Sequence, residues 1–149
     1  MPKHSAGILM YRHCNEGVEV FLVHPGGPFW SRKDLGAWSI PKGVFREDED
    51  PLEAAKREFY EETGMVVSGE FIPLPPVKQS STKLVYAWLL EGDCDAESVK
   101  SNMFRMEWPP RSGSIREFPE VDRAAWFPRP VAREKIVKGQ RPLLDEVPD

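Results

Sequence analysis

Three glutamates, Glu58, Glu61 and Glu62, occupy positions of the chain that fall on one face of an α-helix. At roughly 100° per residue they share a sector of about 100°, and Arg57 is placed to pair with Glu61 at i+4. Like charges at these spacings destabilise an isolated helix, and a divalent cation with oxygen ligands relieves the repulsion. The spacing by itself is compatible with a solvated acidic helix face or with a Mg²⁺ site shared with substrate phosphates.

The helix that must carry these glutamates has start and stop signals in the sequence. Asp50 is a candidate N-cap, Pro51 suits the first helical position, and Glu53 is placed to complete a capping box. We expect the helix to run to about Thr63, with Gly64 as the residue after its end.

A longer pattern of fixed spacing surrounds the glutamates. Its members are Gly43, Glu49, Arg57, Glu58, Glu61, Glu62 and Gly64, with apolar Phe59 and Met65 between them. Over residues 43–65 this pattern resembles, at every invariant position, the signature of the Nudix hydrolases. Segments 38–43 and 119–126 also resemble Nudix features and occur in the same order along the chain.

This resemblance implies a fold and an activity. The expected fold is α/β: a single Nudix domain over 1–149, built as an α/β/α sandwich with a central mixed β-sheet and with residues 43–65 as a loop–helix–loop Nudix box. The chain is most similar to small bacterial members described as nucleoside triphosphate pyrophosphohydrolases. Such enzymes use Mg²⁺ or Mn²⁺ to hydrolyse a pyrophosphate bond in a nucleoside diphosphate that is linked to another moiety.

The resemblance also implies roles for individual residues. Glu58, Glu61 and Glu62 become catalytic metal ligands, and Arg57 orients them. Glu49 links the helix back to its loop. Lys42 and Gly43 are the expected substrate-binding positions, Lys42 as a point charge for a phosphate.

The general base is less strongly specified than the metal ligands. Glu120 matches best the position of a distant-loop glutamate in related enzymes, while Glu117 and the box glutamates compete with it. Aromatic candidates for stacking a base are Trp30, Trp38, Phe104 and Trp108. Further candidates for binding phosphates are Lys78, Lys83 and Arg111.

Several substrates are compatible with the pattern. Nucleoside triphosphates or dinucleoside polyphosphates are the leading expectation, and the 5′ end of RNA is the alternative. A non-catalytic, nucleotide-sensing module of the same fold is a third hypothesis. Such a module would be expected to lose box glutamates, and all four are present here.

Composition limits the other classes of function. The 149 residues carry a formal net charge of −4, which is unfavourable for non-specific binding to nucleic acid or anionic membranes. The acidic surplus is local, because residues 43–64 contain eight acidic and three basic residues and the rest of the chain is nearly balanced. Two widely separated cysteines and no signal-like or membrane-spanning segment predict a cytoplasmic protein. The resemblance to Nudix proteins implies a monomer or a homodimer.

The remaining elements are predicted from alternation and turn residues. Segments 5–12 and 18–24 are expected to form a β-hairpin, and 84–91 and 124–127 are further strands. Segment 37–40 is expected as a short strand stopped by Pro41. A last helix is expected to begin at Pro130 and to end near Gly139.

Overall fold

The computed structural model describes residues 3–149. Within this range nine strands are present: β1 (Lys3–Cys14), β2 (Gly17–Pro25), β3 (Lys42–Val44), β4 (Ile72–Pro73), β5 (Val77–Ser80), β6 (Lys83–Glu91), β7 (Met103–Glu107), β8 (Ile115–Pro119) and β9 (Val121–Pro128). The α-helices are α1 (Pro51–Thr63), α2 (Arg129–Lys135) and α3 (Arg141–Leu144), and short 3₁₀ turns lie at Ala96–Ser98 and Lys138–Gln140. Within these residues no helix is long and apolar enough to cross a bilayer.

Seven strands form one mixed sheet with the main order β4-β6-β1-β2-β9. Strands β1 and β2 pair antiparallel, from Tyr11 opposite Val20 to Cys14 opposite Gly17, which confirms the predicted hairpin. Strand β6 runs parallel to β1, and β9 runs antiparallel to β2. Short β3 pairs with β1, so the chain enters the glutamate segment directly from the sheet.

Each face of the sheet is covered by helices. On one face, Ala54, Ala55 and Phe59 of α1 pack against β1 and β2, with Phe59 and Phe21 both fully buried. On the other face, α2 and α3 contribute a second buried cluster with the alternate residues of the same strands. The predicted α/β/α sandwich with a central mixed sheet is confirmed.

The ends of α1 lie where the sequence places them. The Asp50 side chain accepts a hydrogen bond from the Glu53 amide at 3.0 Å, and Pro51 is the first helical residue. Gly64 is left-handed, with φ of 77°, and its amide donates to the Tyr60 carbonyl. The Glu53 carboxylate lies 3.2 Å from Lys56 Nζ, so it forms an ion pair along the helix instead of closing a capping box.

Two predicted elements are wrong in extent, and they contact each other. Segment 37–40 forms only isolated bridges, Ser39 with Val23 and Trp38 with Ile136. The Trp38 amide donates to the Lys135 carbonyl, and the Trp38 carbonyl accepts from the Val137 amide. These bonds hold Ile136 and Val137 against Trp38 and outside the helix. Helix α2 therefore ends at Lys135 instead of continuing to the region of Gly139.

A two-stranded sheet, formed by β7 and β8, projects from the main body. Two contacts join it to the 26–36 loop. The Phe104 ring packs against Gly27, and the Phe29 and Trp108 rings meet edge to face with centroids 5.4 Å apart. This hairpin returns the chain to the main sheet at Glu120.

Candidate active site

Arg57 is the centre of the charged face of α1. One terminal nitrogen, Nη1, lies 3.0 Å from a Glu58 carboxylate oxygen and 3.1 Å from one of Glu61. The other, Nη2, lies 3.1 Å from Glu49. Glu49 also accepts a hydrogen bond from the Arg46 amide, so the same contacts tie the helix to the loop before it. Arg57 thus holds Glu58 and Glu61 side by side, as the i+4 spacing predicts for Glu61.

Glu58 is buried against the backbone of β3. Its exposed fraction is only 9%, and a Cβ added to Gly43 would overlap its carboxylate group. A glycine is therefore required at position 43 for the carboxylate to occupy this place. Burial, followed by repulsion from Glu61, raises the pKa of Glu58 above its ordinary value. Gly43 is placed to position a glutamate, and its role in substrate binding stays a prediction.

Glu62 lies on the side of α1 that faces β3. Its carboxylate accepts a hydrogen bond from the Lys42 amide at 3.2 Å. Burial and, to a smaller extent, the charge of Glu58 raise the pKa of Glu62 to about 8. A carboxylate held in this way is a strong candidate for neutralisation by a cation.

A cavity of about 320 Å³ opens next to Glu62. Its walls come from separate parts of the chain, since Lys42 lies in β3, Lys83 begins β6, and Trp30 belongs to the 26–36 loop. Glu120, between β8 and β9, completes the acidic side. The cavity is thus lined by two carboxylates, two ammonium groups and an indole ring.

Glu120 is brought to the cavity by backbone hydrogen bonds. Its amide donates to the Asn102 carbonyl, and its carbonyl accepts from the Gly26 amide, each at 2.9 Å. The Asn102 amide in turn donates to the Glu61 carbonyl at 2.8 Å, which links this segment to the end of α1. Burial and the charge of Glu61 raise the pKa of Glu120 above its ordinary value.

Glu117, the competing candidate for the general base, has a different environment. It lies in β8, opposite Arg105 of β7, and is exposed. Glu120, and not Glu117, shares the cavity with a box glutamate. Asn102, which links Glu61 to Glu120, was missed by sequence reasoning, and no local signal around it indicates this contact.

The two cavity lysines have electrostatic surroundings suited to an anion. Burial lowers the pKa of Lys42, attraction from Glu62 opposes that effect, and repulsion from Lys83 adds to it. A phosphate bound near both ammonium groups would offset the repulsion between them. Of the predicted phosphate binders, Lys42 and Lys83 line this cavity, while Lys78 and Arg111 lie outside its walls.

The candidate stacking aromatics also separate by position. Trp30 lines the cavity and is 39% exposed. Trp38 is buried, with its indole nitrogen donating to Asp34 at 2.8 Å. Trp108 and Phe104 pack within the projecting hairpin and against the 26–36 loop. Trp30 is therefore the aromatic side chain available to a ligand in the cavity.

The glutamates fit a divalent cation that is only partly coordinated by protein. In residues 3–149, no three acidic, His or Cys side chains converge as a closed metal cage. The electrostatics nevertheless favour a cation, because Glu58, Glu62 and Glu120 all have raised pKa values and all are affected by other site glutamates. Mg²⁺ prefers oxygen ligands and usually keeps several waters or substrate phosphate oxygens. An incomplete carboxylate set is therefore compatible with it.

Comparison with known proteins identifies the family. The family model described as NUDIX domain matches residues 1–147. The chain belongs to the Nudix family. A protein from Rhizobium meliloti named RNA pyrophosphohydrolase is 40% identical over 96% of this chain and 94% of its own. One of the same name from Brucella anthropi is 31% identical over 99% of this chain and 95% of its own.

Solved Nudix structures share the fold. An Ap4A hydrolase from C. elegans, in a binary complex, has a TM-score of 0.62 at 21% identity and covers 96% of this chain and 93% of its own. The Nudix domain of NrtR from Shewanella oneidensis, in complex with ADP ribose, has a TM-score of 0.63 at 15% identity. The match covers 98% of this chain and 85% of that one. Together with the family match, the relatives establish this Nudix protein as a hydrolase of pyrophosphate bonds, in a family that generally uses divalent cations.

The raised pKa of Glu62 predicts a pH dependence of stability for the metal-free Nudix protein. Between pH 4.5 and about 8 the folded state keeps a proton on Glu62 that the unfolded chain has lost, so stability falls as pH rises through this window. Glu62→Gln has no such group. We expect it to be more stable than the wild type by about 1–3 kcal/mol above the window, after allowance for solvent screening, and nearly equal below it.

Urea denaturation with EDTA present checks this expectation. The two proteins are compared at about pH 5 and about pH 9, on either side of most of the titration. An equal difference in the free energy of unfolding at the two pH values would show that the folded protein does not raise the pKa of Glu62.

Proposed function

We propose that this Nudix hydrolase cleaves a phosphoanhydride bond of a nucleoside 5′-polyphosphate, with nucleoside triphosphates or dinucleoside polyphosphates as substrates. The observation that carries the proposal is the meeting of Glu62, Glu120, Lys42, Lys83 and Trp30 at one cavity. The lysines suit phosphate oxygens and the indole suits a base. The acidic side suits the cations that accompany polyphosphates.

Glu58, Glu61 and Glu62 would hold Mg²⁺ or Mn²⁺. When bound, such an ion neutralises phosphate oxygens and lowers the pKa of a coordinated water. Arg57 keeps Glu58 and Glu61 oriented through its 3.0 and 3.1 Å contacts. Phosphoryl transfer depends mainly on positioning and charge stabilisation, which is what these side chains supply.

Glu120 is the proposed general base. Glu120 lines the cavity, and its raised pKa makes it a better proton acceptor near neutral pH than an ordinary glutamate. In this role a carboxylate oxygen of Glu120 takes the proton from the attacking water. The box glutamates, engaged with Arg57 and Lys42, are less free to accept it.

We expect Glu120→Gln to lower kcat by about 10²–10⁴-fold, because glutamine cannot accept the proton. Glu117→Gln is the matched control, since it makes the same change three residues away on the exposed β8 strand, and kcat should stay within about threefold. Steady-state kinetics of both variants test the assignment. A large loss in Glu117→Gln with an active Glu120→Gln would transfer the role to Glu117.

The 5′ end of RNA is a second candidate substrate. Two relatives that match nearly the whole chain are named RNA pyrophosphohydrolases. Three exposed arginines, Arg105, Arg111 and Arg116, lie on the hairpin that contacts the loop carrying Trp30. Basic side chains beside a cavity for the 5′ nucleotide would contact the following phosphates.

A hydrolysis panel separates these substrates. It contains nucleoside triphosphates, dinucleoside polyphosphates, ADP-ribose, nucleotide sugars and 5′-triphosphorylated RNA, each with Mg²⁺ and with Mn²⁺. Our proposal predicts the highest kcat/KM for the first two classes, and a preference for RNA would replace it by the second candidate. No turnover of any compound would support a nucleotide-sensing module. A cytoplasmic location and a monomeric or homodimeric state are part of the proposal, to be checked by fractionation and by sedimentation.

A further inference from the structure

His24 is a buried titratable residue that the chemistry described above does not use. It lies in β2 with no exposed surface. Its Nδ1 lies 2.8 Å from an Asp122 carboxylate oxygen, and its Nε2 lies 2.6 Å from the Lys33 carbonyl oxygen. Both partners are hydrogen-bond acceptors when Asp122 is ionised.

The two contacts use both nitrogens of the imidazole ring. A carbonyl oxygen can only accept a hydrogen bond, so Nε2 is the donor toward the Lys33 carbonyl. Nδ1 is then the nitrogen that contacts Asp122. His24 is thus held between β9 and the 26–36 loop through both sides of its ring.

This pair connects three parts of the active site. His24 belongs to β2, Asp122 lies in β9 two residues after Glu120, and Lys33 lies in the 26–36 loop. Within that loop the Lys33 amide donates to the Trp30 carbonyl at 2.9 Å, and Lys33 Nζ lies 5.0 Å from the centre of the Trp30 ring. Holding the Lys33 carbonyl thus holds the turn that presents Trp30 to the cavity.

The end of the loop has its own attachments. Asp34 accepts from the Trp38 indole and forms an ion pair with Lys135, and the Gly36 amide donates to the Glu134 carbonyl. These contacts follow Lys33, and the Phe29–Trp108 ring contact precedes Trp30. The hydrogen bond from His24 is the one made at Lys33 itself.

We propose that His24 and Asp122 are a positioning pair that holds Trp30 at the cavity for the base of the substrate. The part of this inference that concerns the base rests on the proposed function. The part that concerns the loop does not. Neither residue touches the substrate, so the expected effect is on substrate binding more than on the chemical step.

Three variants test the pair. His24→Phe keeps a ring of similar size and removes both hydrogen bonds. Asp122→Asn keeps both, because its amide donates to an unprotonated Nδ1 while Nε2–H still bonds Lys33. Val20→Ala is the control for lost stability, since Val20 is fully buried in the same strand, four residues before His24, and makes no hydrogen bond to the loop through its side chain.

With ATP and Mg²⁺, His24→Phe should raise KM about tenfold or more, with kcat changed by less than about threefold. Asp122→Asn and Val20→Ala should keep KM within about threefold of the wild type. An unchanged KM in His24→Phe, or an equal rise in Val20→Ala, would overturn the positioning role for the base.

One measurement does not need turnover, so it tests the pair even if ATP is not a substrate. Amide hydrogen exchange at Trp30 and Lys33 should accelerate about tenfold or more in His24→Phe and remain near wild type in Asp122→Asn and Val20→Ala. Unchanged loop exchange in His24→Phe would contradict the inference.

Discussion

Replacing Glu61 or Glu62 by glutamine is expected to lower kcat by at least about a hundredfold with the fold preserved. Each substitution removes a charge and little else. The amide oxygen in Glu62→Gln still accepts from the Lys42 amide, and the one in Glu61→Gln still accepts from Arg57. The loss would therefore report the need for negative charge at the cation site, measured as kcat at saturating Mg²⁺.

Glu53→Gln is the matched control for these variants. Glu53 lies in the first turn of the same helix, is exposed, and pairs with Lys56 away from the cavity. We expect its kcat to stay within about threefold of the wild type, since exposed ion pairs contribute little. Circular dichroism should be the same for all three variants. Full activity of Glu61→Gln and Glu62→Gln would show that the cation is held elsewhere.

Gly43→Ala is expected to lower kcat/KM by at least about a hundredfold, because a Cβ at this position would overlap the Glu58 carboxylate. Glu58 would have to leave its place beside Arg57 Nη1, and one ligand of the proposed cation site would be displaced. The change is made in β3, outside α1, so the helix itself is not altered. Steady-state kinetics with a substrate from the panel measure the effect.

Gly92→Ala is the control for Gly43→Ala. The atoms nearest to a Cβ there belong to the Met10 side chain, at an ordinary contact distance of 3.6 Å. This variant should keep its kcat/KM and its melting temperature. If Gly43→Ala were as active as Gly92→Ala, the close packing of Gly43 on Glu58 would have no part in catalysis.

Local signals in the sequence were sufficient for several elements. The Asp50–Pro51 start and Gly64 end of α1, and the hairpin of β1 and β2, lie where propensity and alternation place them. Both depend on residues near one another in the chain. Elements that depend on distant partners were less well predicted. The chain leaves the helix after Lys135 because Trp38, about a hundred residues earlier, bonds the Lys135 carbonyl and the Val137 amide.

The charge distribution illustrates the same division. The acidic surplus of residues 43–64 is evident from the sequence, and it lies on the helix that carries the candidate ligands. The sequence indicates Lys42 and Lys83 as separate phosphate-binding candidates, but it does not indicate that they share a cavity, because they are far apart in the chain. Local composition makes the site acidic, and the tertiary structure adds the two lysines that suit the phosphate groups of a substrate.

What the sequence by itself determined was the helix with its glutamate face, the family pattern around it, and hence the class of bond that is cleaved. Helical periodicity is a local property, so Glu58, Glu61 and Glu62 share a face wherever the helix packs. Only the tertiary structure decided that Glu120 shares a cavity with Glu62 while Glu117 does not. It also decided that Trp30 is the aromatic available there and that His24 connects the loop of Trp30 to Asp122. These contacts depend on strand register and backbone hydrogen bonds between segments far apart in the chain, which no local pattern specifies.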